Sequence, residues 1–193
     1  LNGIKVTADV FNKYPKHFHS RIIRAALKIV KGDLRRIERV HIEAVVKAVD
    51  KKTGTSICEV PGDSAIYVSY GELYIYPSKP DSTVFNLEPE EKKSKDAIEF
   101  YLPGFGVKAV VNNDCPNCKL RFLKGEDTIE NSSKKISRIL TDKKIPPFYR
   151  EMIPCIVNEK DKVVSTPINL SDRFTSKNIT WIIAPQSPIK DIL

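Results

Sequence analysis

Residues 140–156 read LTDKKIPPFYREMIPCI, and this stretch determines how the second half of the chain can fold. The apolar spacing before it predicts a helix from Ser133 to Lys143. Pro146 must end that helix, because a proline disfavours helical geometry in the preceding residue and lacks a backbone donor. Pro147 suits the first position of a new helical turn, which would present Arg150 at a fixed angle.

Short apolar runs surround this helix and are typical of strands. The predicted strands are Ile98–Leu102, Val107–Val111, Leu120–Leu123, Cys155–Asn158, Val163–Ile168 and Ile179–Ile183. The second half is therefore predicted to be a mixed, strand-rich domain.

The first half begins with a helical pattern. A first helix is predicted from Lys16 to Lys31, where Gly32 stops it, and Asp33 is predicted to be the N-cap of a second helix. A hairpin follows in SAIYVSYGELYIYP, residues 64–77. Gly71 at the first central position suits a type II′ turn that pairs Tyr70 with Leu73 and Val68 with Ile75.

Composition changes after the hairpin. PSKPDSTVFNLEPEEKKSKD is rich in proline and mixed charge, and it lacks apolar periodicity. We therefore predict an α+β chain with a helical and hairpin domain at 1–77, a linker at 78–96 and a second domain at 97–193.

The chain is basic, with a net charge of +8 and a pI near 9.2, which favours a polyanionic partner. One basic cluster follows the first helix and the residues after it: Arg21, Arg24, Lys28, Lys31, Arg35, Arg36 and Arg39. A second surrounds the two prolines: Lys134, Lys135, Arg138, Lys143, Lys144 and Arg150. Either cluster could bind phosphates or form a solvated surface, and Arg150 could instead form an internal ion pair.

Aromatic, sulfur and imidazole side chains suggest further sites. Tyr67, Tyr74 and Tyr76 share one hairpin face, where they could stack on unpaired bases or only stabilise cross-strand pairs. Cys115 and Cys118 form a single CxxC without the second pair or spaced histidines that structural zinc needs, so we interpret CPNC as a structural loop. All four cysteines are predicted to be free thiols, and the three histidines to be structural.

Several function classes have no support in the sequence. It contains no GxxxxGK[ST] or GxGxxG loop for nucleotide phosphates, and no apolar run approaches the roughly 20 residues of a membrane span. We therefore expect no catalytic residues, metal or cofactor in this chain, which should be inactive as an enzyme on its own, and no membrane partner.

The run LRFLKGEDTIENSSKKISRILTDKKIPPFYREMIPCIV, residues 120–157, followed by VVSTPINLSDRF at 163–174, resembles the C-terminal domain of bacterial tRNA(Ile)-lysidine synthetase. Three segments are similar to the middle domain of that family: FHSRIIRAAL at 18–27, VHIEAVVKAV at 40–49 and EVPGDSAIYVSYGELYIY at 59–76. The resemblance therefore covers nearly the whole chain.

This resemblance implies a function. Members of the family use ATP, with magnesium expected, to join lysine to the wobble cytidine of an isoleucine tRNA with a CAU anticodon. Their N-terminal ATP-pyrophosphatase domain carries an SGGxDS loop that is absent here, so the chain resembles only the two tRNA-binding domains. Together with the start at Leu1, this leads us to expect a fragment. A cytoplasmic location follows from the resemblance.

The family also implies positions on the tRNA. The cluster from Arg21 to Arg39 would lie toward the anticodon arm. The second cluster, extended by Arg173, would lie toward the acceptor stem, in a domain similar to one of the phenylalanyl-tRNA synthetase β chain. Two alternatives remain: a general RNA-binding or dimerising module, in which case the chain forms a homodimer, and a thiol or zinc protein centred on Cys115 and Cys118.

Overall fold

The chain divides into two compact units, residues 1–81 and 82–193. The structure, a computed structural model, describes residues 3–77, 87–112, 115, 117–130, 134–168 and 178–192. Five α-helices and eleven strands lie in these described ranges, and all strand pairs within the three sheets are antiparallel. This confirms the predicted α+β class, while the similarity to the phenylalanyl-tRNA synthetase β chain stays a prediction.

The first unit packs helices on one face of a four-stranded sheet. In chain order its elements are β1 (Ile4–Val6), α1 (Ala8–Lys13), α2 (Lys16–Lys31), α3 (Arg39–Lys51), β2 (Thr55–Cys58), β3 (Ala65–Ser69) and β4 (Glu72–Tyr76). The strands lie in the order β1-β4-β3-β2. Ile23, Leu27 and Val45 are fully buried in the core between the helices and the sheet. None of the helices that the structure describes is long and apolar enough to cross a bilayer.

Helix α2 has the predicted bounds and ends at Gly32, but the predicted start of the next helix is wrong. Asp33 does not cap α3, because its carboxylate accepts a hydrogen bond from the backbone N–H of Arg35, at 2.9 Å, within a turn. Arg36 then has a φ of 62°, which a right-handed helix cannot include. Helix α3 begins only at Arg39, and its first turn is closed by the N-cap residue Glu38 and the side chain of His41.

The hairpin between β3 and β4 is present, but its predicted register is wrong by two residues. Ser69 pairs with Glu72, and both Tyr70 and Gly71 have positive φ values, of 52° and 83°. Two positive values are characteristic of a type I′ turn rather than type II′. Because side chains alternate with a period of two, the shift leaves the same residues on the core face.

The second unit contains two sheets and two short helices. Its elements are β5 (Glu90–Lys93), β6 (Ala97–Leu102), β7 (Val107–Asn112), β8 (Lys119–Phe122), α4 (Ile136–Asp142), α5 (Pro147–Arg150), β9 (Pro154–Val157), β10 (Val163–Ser165), β11 (Ile179–Ile183) and a 3₁₀ helix (Pro188–Ile192). The strand orders are β11-β7-β6-β5 and β10-β9-β8. The strand β5 lies inside the segment 78–96 that we predicted as a linker. Its side chains are all exposed, so no apolar pattern marked it as a strand.

The two prolines act as predicted. Pro147 occupies the first position of α5, and the chain leaves α4 through Lys144, whose φ is 58°. Helix α4 is shorter than predicted: it begins at Ile136, whose N–H bonds to the carbonyl of Asp127 at 2.9 Å. The predicted start, Ser133, lies outside the described residues. Strand β10 also ends earlier than predicted, at Ser165.

One buried ion pair joins the elements around α4. The guanidinium of Arg121, on β8, donates two hydrogen bonds of 2.8 Å to the carboxylate of Asp127. It also bonds the carbonyl of Phe122 and the carboxylate of Asp161, at 2.9 and 3.0 Å. Asp127 in turn accepts the N–H of Lys124 at 2.7 Å. The pair therefore holds the turn after β8, the turn before β10 and the start of α4 together.

We expect Arg121→Ala to lower the free energy of unfolding by about 3 kcal/mol, because the buried carboxylate of Asp127 would lose its counter-ion. Urea denaturation followed by circular dichroism would measure this. Lys119→Ala is the matched control, because Lys119 is an exposed cation of the same strand. If the free energy of unfolding fell by less than about 0.5 kcal/mol in both variants, the ion pair would not contribute measurably to the stability of the second unit.

Candidate nucleic-acid interface

A basic groove lies along α4 in the second unit. It has a volume of about 670 Å³. Its lining contains four of the predicted cations and one acid: Lys134, Lys135, Arg138, Arg150 and Asp142. Ser137 and Thr141 also line the groove, so hydroxyl groups lie beside the cations. The structure thus brings these four cations together around one concave surface, where a single polyanion can meet all of them.

Arg150 has a structural role in addition to its place in the groove. Its Nε donates to the carbonyl of Ile145 at 2.9 Å, and its guanidinium also reaches the carbonyl of Ser137, at 3.4 Å. These bonds tie α5 to α4 across the two prolines. The proposed alternative of an internal ion pair is wrong, since no acid of the described ranges lies within 4.0 Å of its guanidinium. The side chain is half-buried and fixed in direction.

The other predicted members of this cluster lie outside the groove. Lys143 and Lys144 are exposed at the end of α4 but do not line it. Lys143 is the C-cap of α4, and Lys144 lies in the turn by which the chain leaves the helix. Arg173 lies outside the described residues.

The predicted stripe on α2 is present in the first unit. Arg21 and Lys28 are exposed, and Arg24 is half-buried. The guanidinium of Arg21 lies 5.4 Å from the centre of the Phe18 ring, a cation–π contact that holds it against the helix. In the part of the chain that the structure describes, none of these three has an acid within 4.0 Å.

The remaining cations of the first cluster are partly neutralised. Lys31 and Arg35 lie 3.5 and 3.8 Å from the carboxylate of Asp33. The pKa of Asp33 is lowered, first by the hydrogen bond from the backbone of Arg35 and further by these two cations. Arg39 pairs with Glu43 at 2.6 Å, and this hydrogen bond raises the pKa of Arg39.

Neutralisation divides the first cluster into two kinds of residue. Lys31, Arg35 and Arg39 already have carboxylates beside them, so a phosphate would have to compete for them. Arg36 is exposed in the turn before α3, with no acid within 4.0 Å among the described residues. The spacing of basic residues along the sequence could not show this division, because it contains no information on which cations the carboxylates of Asp33 and Glu43 contact.

The tyrosines of the hairpin do not form an open stacking surface. Tyr74 and Tyr76 are only 3 % and 4 % exposed, and Tyr67 is half-buried with its ring 6.2 Å from that of Tyr76. The Tyr74 hydroxyl donates to the carboxylate of Glu72. The alternation of residues in the sequence placed these rings correctly on one face, but it could not show that the face is covered.

The cysteine pair differs from the prediction of free thiols. Cys115 and Cys118 are joined by a disulfide, so neither sulfur is a thiolate that could bind zinc. Cys58 and Cys155 are free thiols, as predicted, and the structure shows that both are buried. Burial raises the pKa of Cys58, and it raises the pKa of Cys155 to about 12 despite the nearby charge of Arg121. In the described ranges, no group of three or more His, Cys, Asp or Glu side chains could hold a metal ion.

No protein-family model matches the chain. Three curated relatives that do match it are each named tRNA(Ile)-lysidine synthase. The protein of Clostridium tetani is 27 % identical over 197 residues, which covers 86 % of this chain and 42 % of the relative. That of Clostridium perfringens is 27 % identical over 209 residues, covering 93 % and 44 %. That of Thermotoga maritima is 29 % identical over 106 residues, covering 54 % and 24 %.

These matches confirm the resemblance to tRNA(Ile)-lysidine synthetase that the sequence predicted. The chain spans less than half the length of each relative.

Thiol titration tests the arrangement of the cysteines. Without reductant, we expect no rapidly reacting thiol in the native protein, because both free thiols are buried and their pKa values are raised. In denaturant, a thiol-specific reagent should react with two cysteines of the untreated protein. It should react with four cysteines when the protein has first been reduced. Four thiols in denaturant without reduction would contradict the disulfide.

Proposed function

Because the chain resembles tRNA(Ile)-lysidine synthases over most of its length, we propose that it binds and positions an isoleucine tRNA for a protein related to these synthases. Its own residues would bind and orient the tRNA and would take no part in the bond-forming step. This function needs cationic surfaces that are rigid before the RNA arrives, because binding then orders fewer side chains.

The basic groove beside α4 is the observation that carries the proposal. Four cations face one concavity of about 670 Å³, and one of them, Arg150, is held by backbone carbonyls. Arginine presents a planar fork of N–H donors that suits a phosphate, and a guanidinium already fixed loses little freedom on binding.

The α2 stripe supplies a second cationic surface in the other unit. Arg21, Arg24 and Lys28 line one side of the helix, without acid partners in the described part of the chain. Two such surfaces on separate units suit a long folded polyanion, because neighbouring phosphates can neutralise each surface and release counter-ions. We propose that this stripe lies toward the anticodon arm, and the groove toward the acceptor stem.

The proposal extends to the reaction of the longer protein of which this chain would form a part. In it, lysine would be joined to the wobble cytidine of the tRNA with a CAU anticodon, at the expense of ATP with magnesium and in the cytoplasm. The chain's own sequence contributes no nucleotide-phosphate loop to that step. A general RNA-binding or dimerising module is the other candidate, since the same cations would bind any structured RNA.

Competition between RNAs tests the proposal. We expect the chain to bind the isoleucine tRNA with a CAU anticodon more tightly than an unrelated structured RNA of equal length, in filter-binding titrations at two salt concentrations. An elongator methionine tRNA, which shares that anticodon, is a second comparison. Equal affinity for all three RNAs would favour the general module, and no binding at any salt concentration would refute both.

Charge reversal in the groove gives a residue-level test. Arg138→Glu should weaken tRNA binding at least about five-fold at low salt and reduce the slope of log affinity against log salt by about 1. Lys160→Glu is the matched control, because it makes the same change of charge at an exposed position outside the groove. If the two variants weakened tRNA binding equally, binding would depend on the net charge of the chain and not on the groove.

A further inference from the structure

The basic groove beside α4 contains one acid, Asp142, which the binding of phosphates does not explain. Asp142 is the last residue of α4, and its exposed side chain lines the groove together with the four cations. A carboxylate repels a phosphate, so a groove that met only phosphates would bind them better without this residue. If the groove is a ligand site, Asp142 must face a part of the ligand other than a phosphate.

No local role accounts for Asp142. In the described ranges its carboxylate accepts no hydrogen bond, and no cation lies within 4.0 Å of it. A negative charge at the C-terminal end of a helix is also slightly unfavourable, because the unsatisfied carbonyl groups give that end a partial negative charge. Replacing Asp142 should therefore not weaken α4, and variants at this position report on binding.

Arg138 lies one helical turn before Asp142, on the same side of α4. The Cβ atoms of residues four apart in a helix are about 5–6 Å from each other, which is close enough for an ion pair. The pair is nevertheless not formed, since the guanidinium and the carboxylate lie more than 4.0 Å apart. An arginine that precedes its acid is also the weaker of the two orders. Arg138 and Asp142 thus offer a donor and an acceptor side by side.

The neighbours of Asp142 in the groove have defined roles. The hydroxyl of Thr141 donates to the carbonyl of Ser137 at 2.8 Å, so this hydrogen is not available to a phosphate. Arg150 bonds the carbonyls of Ile145 and Ser137 through Nε and Nη1, which leaves the N–H groups of Nη2 without a partner among the described residues. The groove therefore offers guanidinium donors that suit phosphates and, at Asp142, an acceptor that does not.

The ribose of RNA carries a group that matches this arrangement. Its 2′-hydroxyl lies next to the phosphate on the neighbouring 3′ oxygen and, unlike a phosphate, can donate a hydrogen bond. An O–H bond to a carboxylate is short and roughly twice as strong as a bond between neutral groups. In an A-form helix the 2′-hydroxyls line a wide, shallow minor groove, where side chains can reach them.

We propose that the basic groove recognises the ribose as well as the phosphates of double-helical RNA. Arg138 binds a phosphate, while Asp142 accepts a hydrogen bond from the 2′-hydroxyl beside it. Asp142 thereby gives a preference for RNA over a helix of the same shape and charge that lacks this hydroxyl. This inference rests on the proposed RNA-binding function and deepens it, because cations alone cannot distinguish the two helices.

Two hairpins of one sequence test this preference. One is RNA, and in the other every stem nucleotide carries a 2′-fluorine, which keeps the A-form helix but cannot donate a hydrogen bond. The whole chain is titrated with each hairpin by filter binding. Wild type should bind the RNA hairpin about ten-fold more tightly, and this ratio should fall at least about five-fold in Asp142→Ala, as expected for a hydrogen bond to a charged group.

Asp96→Ala is the matched control, because Asp96 is an exposed acid of the same unit that does not line the groove. It should keep the wild-type ratio. Both variants remove one negative charge, so a general electrostatic effect would raise the affinity for both hairpins and leave their ratio unchanged. An unchanged ratio in Asp142→Ala would overturn the inference.

Asp142→Asn separates hydrogen bonding from charge, because the amide oxygen still accepts a hydrogen bond. This variant should keep part of the preference, and a loss as complete as in Asp142→Ala would count against an accepted hydrogen bond and overturn the inference.

A third hairpin, with inosine in place of guanosine, lacks the exocyclic amino group that guanosine presents in the minor groove. Wild type should bind the guanosine and inosine hairpins equally. If it preferred guanosine, and Asp142→Ala removed that preference instead of the one for the hydroxyl, Asp142 would contact a base and the inference would fail.

The outcomes separate this inference from the proposed function. If wild type binds the isoleucine tRNA but binds the hydroxyl and fluorine hairpins equally, the groove does not recognise the ribose, whereas tRNA binding stands. Binding of the tRNA without binding of the RNA hairpin would also overturn the inference, because any A-form stem carries the groups concerned. If the chain binds none of these RNAs, both proposals fail.

Discussion

The buried contact between Arg121 and Asp127 is the interaction on which the second unit most depends. Arg121 is reached by both carboxylate oxygens of Asp127, and Asp127 also bonds the backbone of Lys124 and of Ile136. Desolvating two charges is costly, and this arrangement offsets the cost because nearly every donor and acceptor is used. Removing Arg121 would leave the buried carboxylate of Asp127 without its counter-ion, whereas Arg121 without Asp127 would keep its contact with Asp161.

That contact determines where the groove forms. Because the carbonyl of Asp127 accepts the N–H of Ile136, the start of α4 is fixed relative to β8. Two prolines fix the other end of the helix, and Arg150 closes back onto it through the carbonyl of Ile145. Of the cations in the groove, Arg138 lies on this anchored helix, Lys134 and Lys135 come directly before it, and Arg150 ends α5. The anchored backbone, and the bonds that hold the Arg150 guanidinium, reduce the entropy that would be lost if a polyanion bound here.

Charge in the first unit is organised differently. Asp33 and Glu43 neutralise cations at the turn and at the start of α3, whereas the cations in the middle of α2 have no such neighbours among the described residues. The unit thus carries two kinds of cation: those beside Asp33 and Glu43 are partly neutralised, and those in the middle of α2 are not.

Local patterns in the sequence determined most of the elements. Helix α2, its stop at Gly32, the turn of prolines and strands β6 to β9 follow from periodicity and from what proline and glycine allow. Strand β5 and the start of α3 could not be read in this way. The first has only exposed side chains, and the second depends on a left-handed residue at Arg36.

Side-chain partners were beyond the reach of sequence patterns. The spacing of lysines and arginines located both basic clusters, but only the tertiary structure brought four of them to one groove and gave three others carboxylate neighbours. It likewise covered the hairpin tyrosines and placed Nδ1 of His19 opposite Asp50, 31 residues along the chain. Element type depends on neighbours in sequence, whereas burial and pairing depend on neighbours in space, which the packing of the elements alone decides.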